Sequence, residues 1–212
     1  MNVPHTALGS PLADKEAIGP SQLAVGIPQG RFVDRTTGEV AGAVRRGGEL
    51  VSLDQVEYGI WTLLLTPMPL AVATEVVSHR DGGDLDQTIA RLGKLDLLAT
   101  IEPGKAMDAR LESLRPLPLG VGLGNSGGDP TRFEIQNAAL SLPTPVSVDL
   151  VGVMLWWEFD GTRSLREIVG RVANRVPDLS VDRADAVVTQ LAYGLMASRL
   201  LYLDHPQLLR SA

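Results

Sequence analysis

The residues whose type and spacing invite a chemical reading are few: a glycine-dense run, three histidines and a group of aspartates. Gly122, Gly124, Gly127 and Gly128 have the density of a phosphate-cradling loop. No Lys-Ser or Lys-Thr follows them and no helix pattern opens behind them, so the run reads as the flexible loop of a hairpin. Ser126 inside it lacks the Gly-x-Ser-x-Gly frame of a nucleophile elbow. His5, His79 and His205 are scattered, without the spacing of metal ligands. Asp81, Asp84 and Asp86 stand where a helix begins, and aspartates favour that positive end. With no cysteine in the chain, disulfides, thiolate metal sites and cysteine nucleophiles are excluded. No nucleophile, base and orienting group assemble from what remains. The sequence therefore assigns no catalytic residue, metal ligand or cofactor, and the expectation is a protein that is not an enzyme.

Composition narrows the class. The 212 residues suit one large or two small domains, and 44% hydrophobic against 21% charged residues allows a substantial core. Aromatics make up only 4%, so Leu, Val and Ala must do most of the packing. Arg dominates the 19 basic residues, a bias typical of GC-rich bacterial genomes. The net charge of −6 disfavours a general affinity for phosphate backbones. The stretch from Met1 to Pro20 lacks a basic start followed by an apolar run, so no secretory signal is expected. The most apolar windows, near Trp61 to Leu65 and Leu195 to Leu203, are too short to span a bilayer. A cytoplasmic protein without membrane contact is the expectation.

The elements that must position any site are written twice. Val51-Ser52-Leu53-Asp54, followed by Ile60-Trp61, recurs as Val146-Ser147-Val148-Asp149, followed by Leu155-Trp156, at an offset of 95 residues. The offset persists at Val56/Val151, Leu64/Phe159, Leu70/Leu165 and Val77/Val172. Tandem copies of one small fold are the parsimonious reading. Asp54 with Glu57 forms a capping-box pattern, and Val56, Ile60, Leu63 and Leu64 are expected on one inward face. Thr66-Pro67-Met68-Pro69 breaks that helix, a second runs over 70–78, and a third runs from Asp84 to about Leu97. Leu98 to Ile101 closes the copy as a strand.

In the second copy, strands are expected over 119–123, 132–136, 138–142 and 145–148, with Gly124 to Pro130 as loop. Asp149 caps a helix with Val151, Leu155 and Phe159 inward, Ser164 and Glu167 cap the next, and Pro177 ends it. A third helix starts at Ser180 or Asp182, and Leu200 to Leu203 closes the sheet. Trp61 and Trp156 are expected in cores, whereas Trp157 faces about 100° away and is expected to be exposed. The order predicts an α+β protein of two tandem winged-helix-like domains, each a small antiparallel β-sheet followed by three helices. The divisions are a flexible N-terminal arm over 1–21, repeat 1 over 22–104, a connector over 105–117 with one helix from Ala106 to Leu114, repeat 2 over 118–205, and a tail over 206–212.

Pro145 to Asp149, Leu155-Trp156 and the run Asp160-Gly161-Thr162-Arg163-Ser164-Leu165-Arg166-Glu167-Ile168-Val169 resemble the PqqD-like proteins, the recognition elements of ribosomal peptide biosynthesis. The resemblance covers about residues 133–204, and residues 23–101 by way of the repeat. Val148-Asp149 and Ser164 depart from the usual Leu-Asn and Thr, and Leu65 to Pro69 replaces the Asp-Gly-Thr-Arg turn in the first copy. The resemblance implies that a precursor's leader peptide adds as a strand to an exposed sheet edge and packs against the last helix. Carried over, the edge is Pro145, Val146, Ser147 and Val148, and the groove is lined by Val187, Gln190, Leu191 and Gly194. The first copy's equivalents are Glu49, Val51 and Leu53 on the edge, with Thr88, Arg91, Leu92 and Leu95 on the helix. The implied partners are a precursor (leader) peptide and a modifying biosynthetic enzyme, with a homodimer allowed and no cofactor.

Two alternatives stand beside this. A tandem winged-helix DNA-binding transcriptional regulator would place the third helices in the major groove. Asp182 to Arg199 has a formal charge of zero and Asp84 to Leu97 one of −1, so phosphate neutralisation is poorly served and nucleic acid is disfavoured. The other is an assembly subunit of a biosynthetic enzyme complex with no ligand of its own.

Overall fold

The computed structural model describes residues 19–33, 35–78, 85–103, 105–137 and 145–206. His5, His79, Asp81, Asp84, the expected strand over 138–142, residues 1–18 of the N-terminal arm and the tail beyond 206 lie outside them.

Strand β1 (Ser21–Ala24) is followed by an antiparallel three-stranded sheet of β2 (Ile27–Val33), β3 (Val40–Arg46) and β4 (Glu49–Asp54). Helix α1 (Gln55–Leu63), the two-residue β5 (Met68–Pro69), α2 (Leu70–Ser78), α3 (Leu85–Lys94) and β6 (Leu98–Ile101) complete the first half. The second half follows a similar order, opening with an extra helix and lacking a counterpart of β5. A short α4 (Ala109–Ser113) and β7 (Arg115–Pro118) lead into the sheet of β8 (Gly120–Ser126), β9 (Asp129–Asn137) and β10 (Val146–Asp149). Then come α5 (Leu150–Glu158), α6 (Leu165–Arg175), α7 (Val181–Ala197) and β11 (Leu201–Asp204). The protein is thus a mixed α+β fold of small antiparallel sheets and helices.

Local chemistry sets the helix starts where the sequence placed them. The Asp54 carboxylate accepts the Glu57 amide at 2.8 Å while Glu57 accepts the Asp54 amide at 3.0 Å. Asp149 accepts the Gly152 amide at 2.7 Å, Ser164 and Glu167 close a second capping box, and Ser180 caps α7. Each capping bond satisfies an early N–H that the helix leaves unpaired. The last helices of the two halves also stop alike. Leu97 N–H donates to the Leu92 carbonyl at 3.0 Å, and Leu200 N–H to Leu195 at 2.8 Å, around a residue in the left-handed region. That residue is Asp96 in one half and Arg199 in the other, both at φ 54°. These are two copies of one Schellman stop.

The connector is a correction. The helix expected over 106–114 is the shorter α4 (Ala109–Ser113), and residues 115–118, expected as the end of the connector and the start of repeat 2, form β7, paired antiparallel with β11 from Arg115↔Asp204 to Pro118↔Leu201. Pro116 and Pro118 lie two apart, so their missing N–H groups fall on one side of the strand and leave the other side free to pair. The expected loop over 124–130 is also corrected. β8 and β9 run on to Ser126 and Asp129, turning at Gly127-Gly128, whose φ values of 53° and 89° suit a tight primed hairpin turn. Val56 and Val151, expected inward, are 39% and 42% exposed. Each lies at the second position of its helix, and Ile60, Trp61, Leu155 and Trp156 provide the buried face instead. Ser21, expected in the arm, is the fully buried first residue of β1.

Two apolar clusters meet at the strands β1, β6 and β11. Leu23, Val25, Ala99 and Ile101 from the first half pack into the cluster built around α5, α6 and α7. Their neighbours Ala24 and Leu98 pack into the cluster around α1 and α3, which Tyr202 of β11 also touches. Alternating side chains of single strands therefore serve two cores. Gly26 N–H donates to the Leu203 carbonyl at 2.8 Å across this seam.

Candidate functional site

Strand β10 pairs with β9 in register from Val146↔Ile135 to Asp149↔Arg132. Among the described residues its other margin is unpaired, so β10 is an edge of the sheet order β10-β9-β8. The capped turn into α5 carries the chain away at Asp149, and α7 returns past the strand. Helix α7 buries Ala184, Val188, Ala192, Leu195 and Met196. Its position is fixed further by Asp185, buried, whose carboxylate accepts the Met107 amide at 3.1 Å and the Thr189 hydroxyl at 3.2 Å.

Between β10 and α7 lies a cavity of about 280 Å³ with a mainly apolar lining. Val146, Ser147 and Val148 form one wall, and Leu191, Gly194, Leu195 and Ser198 of α7 form the other. Arg132, Asp149 and Gly152 close one side. Gly152 leaves room there, since a Cβ at that position would stand 2.9 Å from Val148 Cβ. Asp149 is engaged by its cap, whereas Arg132 forms no ion pair within 4.0 Å among the described residues. The groove thus offers a backbone edge, apolar side chains and one guanidinium.

The structure places five of the eight anticipated second-half residues on this cavity: Val146, Ser147, Val148, Leu191 and Gly194. Pro145 is half-buried just before β10, and Val187 and Gln190 are half-buried on α7 outside the cavity wall. Sequence reasoning missed Arg132, Asp149, Gly152, Leu195 and Ser198. Leu195 and Ser198 follow Leu191 by four and seven residues, so helical spacing was the signal that locates them.

The first-half equivalents are arranged differently. Leu53 is 1% exposed in the core and Leu92 is fully buried. Arg91 reaches across to Glu57 on α1 at 2.7 Å, and Glu49 pairs with Arg46 at 2.6 Å. Val51 and Leu95 pack partly buried against the first cluster, with Thr88 half-buried on α3. The first-half cavity, about 420 Å³, lies instead between α1 and α2, lined by Arg31, Val56, Gly59, Leu63 and Val76 among others.

The Asp160-Gly161-Thr162-Arg163 segment is a tied turn. Asp160 accepts the Thr162 amide at 2.8 Å and hydroxyl at 2.5 Å, and Arg163 donates to Asp160 at 2.9 Å. Burial pushes the Asp160 carboxyl up, but these Thr162 bonds outweigh it and hold the group below its ordinary value. In the first half, β5 replaces this turn and pairs with β1, Gln22↔Met68. Trp61 and Trp156 are buried, and Trp157 is 69% exposed beside Leu150, Val151 and Met154.

No family model matches this chain. No curated protein matches it. Among solved structures it is similar to PKMT2 from Rickettsia typhi at 12% identity, with a TM-score of 0.35 over 86% of this chain and 42% of that one. The chain therefore spans less than half the length of that neighbour. No group of three or more His, Cys, Asp or Glu suited to a metal occurs among the described residues. No helix among them is long and apolar enough to cross a membrane.

Proposed function

We propose that this chain is a non-catalytic peptide-recognition protein of two winged-helix-like repeats, the second of which holds an extended peptide against the free edge of β10. One observation carries the reading: the unpaired margin of β10 and the Leu191, Gly194, Leu195 and Ser198 face of α7 wall a single cavity. An added strand would satisfy the edge N–H and C=O groups, and its alternate side chains would enter the apolar groove. The first repeat serves as scaffold, because Arg91 and Glu57 tie α3 to α1 where the equivalent groove would open. The resemblance to PqqD-like proteins supplies the identity of the ligand: the leader of a ribosomally made precursor, presented to a modifying enzyme.

The DNA-binding reading is weaker on this geometry. Of the charged residues that begin α7, Asp185 is buried and bonded to Met107, leaving Arg183 beside Asp182. Phosphate recognition asks for several free cations on such a helix.

Titration of the purified protein with the leader peptide encoded beside its gene, followed by fluorescence anisotropy, tests the proposal. Binding in the micromolar range is expected, with Leu191→Glu weakening it at least about tenfold, roughly 1.4 kcal/mol. Leu50→Glu, on an exposed residue of the first repeat, should leave affinity unchanged. Absence of binding at tens of micromolar by folded protein would defeat the proposal.

A further inference from the structure

Where the two halves meet, Arg45 of β3 and Arg115 of β7 line a further cavity of about 240 Å³, with Thr162, Asp204 and His205. Neither guanidinium has a carboxylate within ion-pair distance among the described residues. The Nε of Arg45 is shut off from solvent and has no acceptor. That nitrogen faces neither solvent nor the cavity, so the donors available to a ligand are the terminal nitrogens of the two guanidiniums. Of the protein's own anions nearby, Asp204 also lines the cavity and has one of its two oxygens engaged. Asp204, 4% exposed, accepts the Gly47 amide at 2.7 Å and the His205 amide at 2.9 Å through one oxygen. Glu167, which feels the charge of Arg115, is bonded to Ser164 in its capping box. Thr162 gives its hydroxyl proton to Asp160. His205 Nε2 lies 2.9 Å from the Asp96 carbonyl, which can only accept, so that nitrogen carries a proton.

We infer that this cavity is a binding site for a phosphate-sized tetrahedral oxyanion, free or as the head of a small phosphate monoester. A carboxylate has two oxygens, which one guanidinium can occupy in bidentate fashion. A phosphate has three terminal oxygens and a charge near −2, which suits two guanidiniums arriving from separate strands. The volume admits the anion and a small substituent and is below the range of drug-sized ligand pockets. The site is separate from the peptide groove and does not depend on it. Since Arg45 belongs to the first half and Arg115 to the second, the ligand joins them.

Calorimetric melting of the full chain in inorganic phosphate, methyl phosphate, acetate and chloride at matched ionic strength tests the site. At phosphate concentrations near a hundredfold the dissociation constant, Tm should rise by about 5–10 °C relative to chloride. Acetate should match chloride. Arg45→Gln and Arg115→Gln, each verified as folded by circular dichroism, should each abolish the phosphate-specific rise. At least tenfold tighter binding of methyl phosphate by titration calorimetry would identify an esterified ligand, and parity would identify the free anion. Equal shifts in phosphate, acetate and chloride would overturn the inference, as would a phosphate shift that survives in both variants.

Discussion

Glu158, at the end of α5, accepts hydrogen bonds from three arginines. Arg171 Nε donates at 2.8 Å and Arg163 at 3.4 Å, and Arg175 also donates. The Arg171 hydrogen bond is the largest cause holding the Glu158 carboxyl below its ordinary 4.5, and it prevails over burial, which acts the other way. A carboxyl lowered in the folded state contributes stability that is complete above its unfolded pKa and is lost as pH falls through the folded value. Glu158→Gln should therefore destabilise the protein at pH 7 by about 1–2 kcal/mol, a modest figure because Arg171 and Arg175 remain partly exposed. Urea denaturation of both proteins should show the gap narrowing below pH 4.5. A gap constant down to pH 3 would contradict this account.

At the scale of elements, the caps form a repeated set. Replacing Asp54, Asp149 or Ser164 with Ala should cost about 1 kcal/mol each by denaturant midpoint, with little change in slope. A cost below about 0.3 kcal/mol at all three would show that packing alone starts these helices. Such features are legible in sequence because cap and amide lie three residues apart. The same holds for the closing strands β6 and β11, bounded by helix stops on one side. β7 was not legible, since its partner lies at the far end of the second half and its prolines resemble a break. The β8–β9 hairpin was hidden because glycine weakens strand patterns even where a primed turn requires it. Within the candidate groove, Leu191 and Gly194 were readable from helical spacing joined to the family resemblance. Arg132 was not, because its place follows from the register Asp149↔Arg132, which no local pattern specifies.

For the whole molecule, the shared strands decide the folding unit. Leu23, Val25, Ala99 and Ile101 are at most 4% exposed, and they are buried against the second half's helices. Removing either half would expose these residues and their partners, so the two halves should melt together. Scanning calorimetry should give one transition with calorimetric and van't Hoff enthalpies in agreement. Two resolved transitions would show independent domains. The matched starts of α1 and α5 are readable from the Val-Ser-x-Asp segments, whereas the sharing of core across the halves is not, because alternation along a strand marks two faces without naming what covers each.

Asp96 and Arg199 give the paired helix stops a second meaning. A glycine would ease the left-handed backbone at both places, yet each site carries a charged side chain that reaches the opposite half. Asp96 takes Arg110 at 2.8 Å while its carbonyl faces His205, and Arg199 stretches toward the Thr66 hydroxyl at 3.5 Å. The two halves thus hold each other by a reciprocal handclasp at matching knuckles. A glycine there would relax the local bend while loosening the grip between the halves.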